Sequence, residues 1–343
     1  MKFNKLVVSL ILMSLLLTVM ACGGATTPQP ETTAKSVEPA ATTVVSETKA
    51  ESNSGDKPII KLAENNWSAS TLNVTIAKIL LEEQMGYKVE LVSLDENAQW
   101  SAIAKGDLHA SLEIWPSGHV KDTKQYIEEQ KSIENGGLLG PIGKIGWYVP
   151  TYMVEQHPEL ATWEGFKDPK LASLFKTAET GDKGQFLAGD PSFVQYDADI
   201  IKNLGLNLQV VHAGSSEAEL AALQAAYSRK DPILFYFWTP HSVHAQYDLA
   251  EVKLPSYTPD CYAKSESGSV ACDYPTDDLF KIFWPGLKEA APQVYQFLKA
   301  MHYTTQDQIT MIAAVELDKK TPEEAARAWL DANKETWQKW LPK

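Results

Sequence analysis

From Ile59 to Trp115 the chain alternates between short apolar runs and helix-forming runs. Ile59-Ile60-Lys61-Leu62-Ala63 reads as a strand, and Asn65-Asn66-Trp67-Ser68 as the loop after it. Ser70 or Thr71 is the expected cap of a helix that carries Val74, Ala77, Ile79, Leu80 and Leu81 and stops at Gly86. Residues Tyr87 to Val92 alternate apolar and polar side chains, which predicts a second strand. A further helix begins at Trp100 and ends at Gly106, and Ala110 to Trp115 forms a third strand. This β-α-β-α-β order implies a parallel sheet, because every parallel pair needs a crossover. It also gathers the loops at the carboxyl ends of the strands, where open α/β sheets hold their ligands.

A chain of 343 residues has room for about two such units. A Gly-rich segment, residues 136–146, leads into Trp147-Tyr148-Val149, and a second α/β stretch runs to about Asp248. Its expected helices include Glu217–Ser228 and its strands include residues 233–238. After the loop that holds Cys261 and Cys272 the pattern reads as helical to the end, with Thr321-Pro322-Glu323-Glu324 as a helix start.

The amino terminus sets the compartment. Lys2 and Lys5 precede an apolar run from Leu6 to Met20. As a helix that run rises about 22 Å, short of the ~30 Å hydrocarbon core, so residues 1–22 read as a secretory signal. It ends in Val19-Met20-Ala21-Cys22, which is similar to the bacterial lipobox, so Cys22 is the expected lipid attachment point and membrane anchor. Residues 23–57 lack aromatics and are rich in Thr, Ala, Ser, Pro and Glu. They read as a disordered tether spanning roughly 30–35 Å. In an exported protein, Cys261 and Cys272 are expected to pair as a disulfide across a short loop.

Asp and Glu outnumber Lys and Arg by 44 to 31, a formal charge of −13. That argues against nucleic acid, whose affinity rests on phosphate neutralisation, and against a basic face on anionic lipid. The sequence holds no Gly-x-Ser-x-Gly elbow, no phosphate-cradling Gly-x-x-x-x-Gly-Lys loop and no His-Glu-x-x-His. No catalytic centre and no cofactor are therefore expected. His241 and His244 are spaced as a helical metal pair, but only Asp248 lies near to complete a set, so no metal site is expected either.

Tryptophan placement carries more information. Trp67, Trp115, Trp147 and Trp238 each stand near a strand end, and Phe193 lies in the loop Gly189-Asp190-Pro191-Ser192-Phe193. Aromatic faces converging on the cleft of an α/β sheet suit a quaternary ammonium group, which has no N–H to donate; each face contributes roughly 0.5–2 kcal/mol. Trp284, Trp329, Trp337 and Trp340 read as packing residues of the C-terminal region.

On these residues the chain resembles the glycine betaine/choline-type substrate-binding lipoproteins of ABC importers. The resemblance spans nearly all of residues 58–343. It rests on Trp115-Pro116-Ser117-Gly118-His119, Phe166-Lys167-Asp168-Pro169-Lys170, Gly189 to Phe193, and Phe235-Tyr236-Phe237-Trp238-Thr239-Pro240-His241. It implies an α/β, two-lobed periplasmic-binding-protein type II fold, each lobe a mostly parallel sheet flanked by helices. Residues 58–145 and 250–343 would form one lobe and residues 146–249 the other. It implies an aromatic box of Trp115, Trp238 and Phe193, with Trp67 and Trp147 or Tyr148 at further aromatic positions. In the loop of Phe193 relatives carry Trp. His119 matches the family's carboxylate-binding histidine, His241 is a second candidate, and backbone N–H groups of Asn66, Trp67, Val194 and Gln195 add neutral donors. The resemblance further implies a monomer that closes on a quaternary ammonium ligand (glycine betaine, proline betaine, carnitine or choline) and docks on a membrane permease.

Two other classes remain at this stage. One is an exported enzyme using His119, His241 or His244 with a carboxylate. The other is a binder of another solute, such as an amino acid, a polyamine or a metal chelate; Glu64, Glu113 and Asp190 lie near the cleft loops. Glu113 stands two before Trp115 and so shares its face in a strand. A net-acidic pocket would favour choline, and two histidine donors would favour betaines.

Overall fold

The computed structural model describes residues 57–263 and 265–343. The expected signal, the lipidated Cys22 and all of the tether before Lys57 lie outside the described residues.

Nine strands form one sheet among the described residues: β1 Ile59–Glu64, β2 Lys88–Ser93, β3 Ala110–Ile114, β4 Glu134–Pro150, β5 Gly184–Ala188, β6 Leu208–His212, β7 Phe235–Thr239, β8 Leu249–Glu251 and β9 Thr276–Phe283. Their order is β2-β1-β3-β9-β4-β7-β5-β6, with β8 on β4. Pairing is parallel within β2-β1-β3 and within β7-β5-β6. It is antiparallel where β9 and β4 join the two triads. The architecture is α/β, two parallel triads linked by a central antiparallel pair.

The first triad forms as the sequence pattern predicts. Helix α1, Ser68–Glu83, buries Leu72, Ile76, Ala77, Leu80 and Leu81 and packs against the helix Pro322–Ala332. Its cap differs from expectation. Trp67 holds the N-cap position in extended backbone without a side-chain bond, and Ser70 lies inside the helix, where its Oγ accepts from the Asn65 N–H at 2.9 Å. Ser70 therefore pins the loop after β1, and α1 starts one turn earlier. Helix α2, Ala98–Lys105, ends on Gly106 in the left-handed region at φ +79°. At the far end of the chain Thr321 and Glu324 form the capping box that their spacing implies.

Two central strands depart from the sequence reading. The Gly-rich run belongs to β4, a 17-residue strand. Its pairing with β9 shifts between Asn135 and Gly137 and between Leu138 and Ile142. At Gly140, φ is +117°, and an added Cβ would lie 2.0 Å from the Tyr303 carbonyl oxygen. Glycine is required there for the bulge to form against its neighbour. The segment after the cysteines is not helical throughout, because β9 lies in the middle of the sheet. Lys281 hides that strand in sequence: it is fully buried, and its Nζ donates to the carbonyls of Lys299, at 3.2 Å, and Met301. Burial and the nearby Lys299 charge push its ammonium down to about 7.

Cys261 and Cys272 are bonded, with S–S 2.13 Å and Cα atoms 6.5 Å apart. No helix among the described residues is long and apolar enough to cross a membrane.

Candidate functional site

The carboxyl ends of both parallel triads open onto one cavity of about 430 Å³, open solvent at its mouth included. Five aromatic side chains line it: Trp67, Trp115, Phe193, Tyr236 and Trp238. Trp67 follows β1 and Trp115 follows β3, so both come from the first triad. Phe193 follows β5, and Tyr236 and Trp238 lie on β7, so these come from the second. Tyr236 and Trp238 share a face because side chains in a strand repeat every second residue. Ile145 of β4, also in the lining, pairs with Trp238 in register.

The rings hold one another at edge-to-face geometry. Phe193 stands 5.7 Å from Trp67 at 82° and 6.0 Å from Trp238 at 90°. Trp238 is backed by Phe237, stacked at 4.5 Å and 9°. Edge-to-face contact is the arrangement the ring quadrupole prefers, an edge against a face, so it fixes the rings relative to one another.

Glu113 fixes two of the walls. Its Oε1 accepts the indole N–H of Trp67 at 2.8 Å and of Trp115 at 3.1 Å. Its Oε2 accepts from Asn73 Nδ2 at 2.6 Å and Gln308 Nε2 at 2.9 Å. Burial pushes the Glu113 carboxyl up from its ordinary range, against the pull of these four donors. Glu113 is thus a buried anchor behind the rings, outside the lining. Behind Trp115 lies Gly143 of β4, where an added Cβ would be 2.3 Å from the indole Cζ3. The following turn is held by buried Asp277, which accepts from Ser117 N at 3.1 Å and Ser117 Oγ at 2.6 Å.

Neither histidine reaches the cavity as a free donor. His119 is 1% exposed. Its Nε2 lies 3.2 Å from Glu96 Oε2 and its Nδ1 3.0 Å from Asp122 Oδ2. Burial works against its charge, yet the hydrogen bonds and charges of Asp122 and Glu96 outweigh it and raise the imidazole to about 9. The Trp100 indole N–H also lies 3.1 Å from Nδ1. The two contacts at Nδ1 are alternatives: the neutral ring accepts from Trp100, and the imidazolium donates to Asp122. His241 is likewise engaged, with Nε2 3.0 Å from Glu316 Oε1 and Nδ1 accepting from Val243 N at 3.2 Å. Two of the four expected backbone donors are also in use: Trp67 N bonds Asn65 O at 3.0 Å, and Val194 N donates to Glu96 Oε1.

Trp147 and Tyr148 do not join the aromatic wall. Trp147 stands two residues along β4 from Ile145, roughly 7 Å deeper at strand rise. It is fully buried against Phe186 at 4.5 Å and donates to Asp197 Oδ1 at 2.6 Å. Burial raises Asp197 to about 6, opposed by the Trp147 and Tyr274 bonds. Tyr148 points to the other face of the strand and packs on His244 at 4.9 Å. His244 in turn sits 3.0 Å from the Trp238 carbonyl. Among the described residues no group of His, Cys, Asp and Glu gathers as a metal site.

The sequence reading missed four lining residues, Glu96, Gly118, Ile145 and Tyr236. Tyr236 had a signal, its strand spacing from Trp238. Glu96, in the turn after β2, had only its position at a strand's carboxyl end. Bonds cross between the flanking segments of the chain and the middle one. Asn66 Nδ2 donates to Asp190 Oδ2 at 2.6 Å and Asn97 Nδ2 to the Ser192 carbonyl at 3.2 Å. Glu316 accepts from Ser68 Oγ at 2.8 Å and Ser242 Oγ at 2.6 Å.

Comparison with known proteins fits this geometry. Residues 58–332 match the family described as the substrate binding domain of ABC-type glycine betaine transport systems. A trimethylamine N-oxide-binding protein of Pelagibacter ubique (strain HTCC1062) is 29% identical over 300 residues, 83% of this chain and 92% of that protein. In fold the chain is similar to lactococcal OpuAC in its closed-liganded conformation with glycine betaine, with TM-score 0.64, 23% identity, and coverage of 84% of this chain and 100% of that one. It is also similar to an ABC-transporter choline binding protein in complex with choline, with TM-score 0.66, 20% identity, and coverage of 82% and 91%. Domains of this family bind a small solute outside the cytoplasm for a membrane permease and are not catalytic. The chain belongs to the family of substrate-binding domains of ABC-type glycine betaine transport systems.

Proposed function

We propose that this protein captures a quaternary ammonium compound in the cage of Trp67, Trp115, Phe193, Tyr236 and Trp238 and delivers it to an ABC importer. The observation that carries this reading is the convergence of five aromatic side chains from both parallel triads on one cavity. At roughly 0.5–2 kcal/mol per face, three or four faces supply a large share of the ~8 kcal/mol of micromolar affinity. In this reading residues 58–145 and 250–343 form one lobe and residues 146–249 the other. A ligand touching both favours the closed arrangement by its differential affinity. The protein acts as a monomer, anchored through lipid on Cys22.

Calorimetric titration of Trp115→Leu and Trp238→Leu with glycine betaine, choline and carnitine tests the cage. Each substitution is expected to weaken the bound ligand at least about tenfold. Unchanged affinity in both variants overturns the reading. Trimethylamine N-oxide belongs in the panel as a fourth ligand, because the Pelagibacter relative matched over 92% of its length is a trimethylamine N-oxide-binding protein. That solute presents the same three methyl groups to the rings.

A further inference from the structure

The only Asp, Glu, Lys, Arg or His side chain among the cavity-lining residues is Glu96. Both histidines and two of the four backbone N–H groups expected to receive a ligand carboxylate are engaged elsewhere. His241 is held by Glu316, and the Val194 N–H bonds Glu96 itself. His119 lies behind Glu96, between it and Asp122, and is 1% exposed. An imidazolium between two carboxylates leaves this row with one net negative charge, and buried Glu96 is its member at the cavity wall. Inside a low-dielectric pocket such a charge acts strongly on a guest a few ångströms away.

We propose that Glu96 determines ligand class: the site takes methylated ammonium compounds that carry no carboxylate, such as choline, in preference to zwitterionic betaines. This rests on the aromatic-cage reading above and narrows it. A trimethylammonium head meets both the ring faces and the Glu96 carboxylate as favourable partners. A betaine carboxylate, one methylene from its ammonium, would lie in the same cavity beside Glu96 with no cationic side chain in the lining. Specificity then comes from repulsion of the wrong ligand as much as from attraction of the right one. Glu96 also receives the Val194 N–H from the loop that carries Phe193, so the charge is positioned by the same contact that brings that ring into the wall.

The test is calorimetric titration of the whole protein and of Glu96→Gln and Glu96→Asp with choline and with glycine betaine. The unchanged protein is expected to bind choline at least about tenfold more tightly than glycine betaine. Glu96→Gln keeps an acceptor oxygen for Val194 but removes the charge, and the choline-to-betaine affinity ratio is expected to fall at least about tenfold. Glu96→Asp, which keeps the charge, should retain the choline preference. A betaine-preferring unchanged protein overturns the inference, whether or not the variants fold. So does an equal loss for both ligands in Glu96→Gln, which would make Glu96 only a clasp while leaving the cage reading intact. If no methylated ammonium ligand binds the unchanged protein, the cage reading itself fails, and this inference with it.

Discussion

Trp67 and Trp115 donate their indole N–H groups to one atom, Oε1 of Glu113, at 2.8 and 3.1 Å. Two walls of the cavity, from the ends of different strands, are thereby oriented by one buried carboxyl. Glu113→Ala strips the acceptor from these indoles and from Asn73 and Gln308. Leaving several buried donors unpaired costs at least about 3 kcal/mol of stability. Chemical denaturation should show that loss, and titration a ligand affinity reduced at least about tenfold. A variant as stable as the parent would show that the carboxyl does not organise the rings.

Gly143 makes room for a ring rather than for a turn. Gly143→Ala would place a methyl 2.3 Å from Trp115 Cζ3 and 2.6 Å from Cη2, both atoms of a cavity-lining side chain. The indole must swing away, so ligand affinity is expected to fall about tenfold with a stability loss of about 1–3 kcal/mol for overpacking. Quenching of tryptophan fluorescence on ligand addition reports both the wall and the binding. An unaltered titration curve would mean that Trp115 has other space to occupy.

His119 gives stability a pH dependence of defined sign. Its ordinary imidazole value of 6.5 rises to about 9 in the fold. The proton is bound more tightly folded than unfolded, so the stabilisation is complete below about 6.5 and lost as pH climbs through about 9. The whole effect is on the order of 3 kcal/mol. Asp197 and Asp277, both raised to about 6 by burial, make stability fall over a more acidic window, as pH rises from their ordinary 3.8 through about 6. Thermal melts across the alkaline range should show a falling midpoint in the parent and a flatter one in His119→Gln. Parallel curves would assign the fall to other groups.

Glu316 joins distant parts of the chain, accepting from Ser68 of α1 and from Ser242 and His241 beyond β7. In a protein that opens and closes, such a contact favours the closed arrangement without touching the ligand. Glu316→Gln is expected to weaken every ligand by a similar factor, about three- to tenfold, and leave ligand preference unchanged. Small-angle scattering of the ligand-free protein should show a more extended particle. A change in preference would instead make Glu316 part of the recognition surface.

Much of this architecture is legible in sequence, because it is local. The first triad follows from alternation and glycine stops between Ile59 and Trp115, and the capping box at Thr321 from a four-residue motif. Trp67, Trp115, Phe193 and Trp238 could be placed at the cavity because strand ends in a parallel sheet share one side. What escaped depends on partners far along the chain. β9 carries a buried lysine whose amine is met by two carbonyls from the next helix region. Trp147 has the same kind of sequence setting as Trp115, yet its depth along β4 puts it against Phe186 and Asp197 instead of the cavity. His119 has the spacing of a ligand donor, but Glu96 and Asp122 take both of its nitrogens, a pairing that no local pattern announces.

The central claim is that ring faces hold a positive charge, and one comparison addresses it directly. The protein is titrated calorimetrically with choline and with its tert-butyl isostere, which has the same shape and no charge. Choline is expected to bind at least about tenfold more tightly than the isostere. Equal affinity for the two would show that the cavity recognises shape alone and would contradict the cation-binding account.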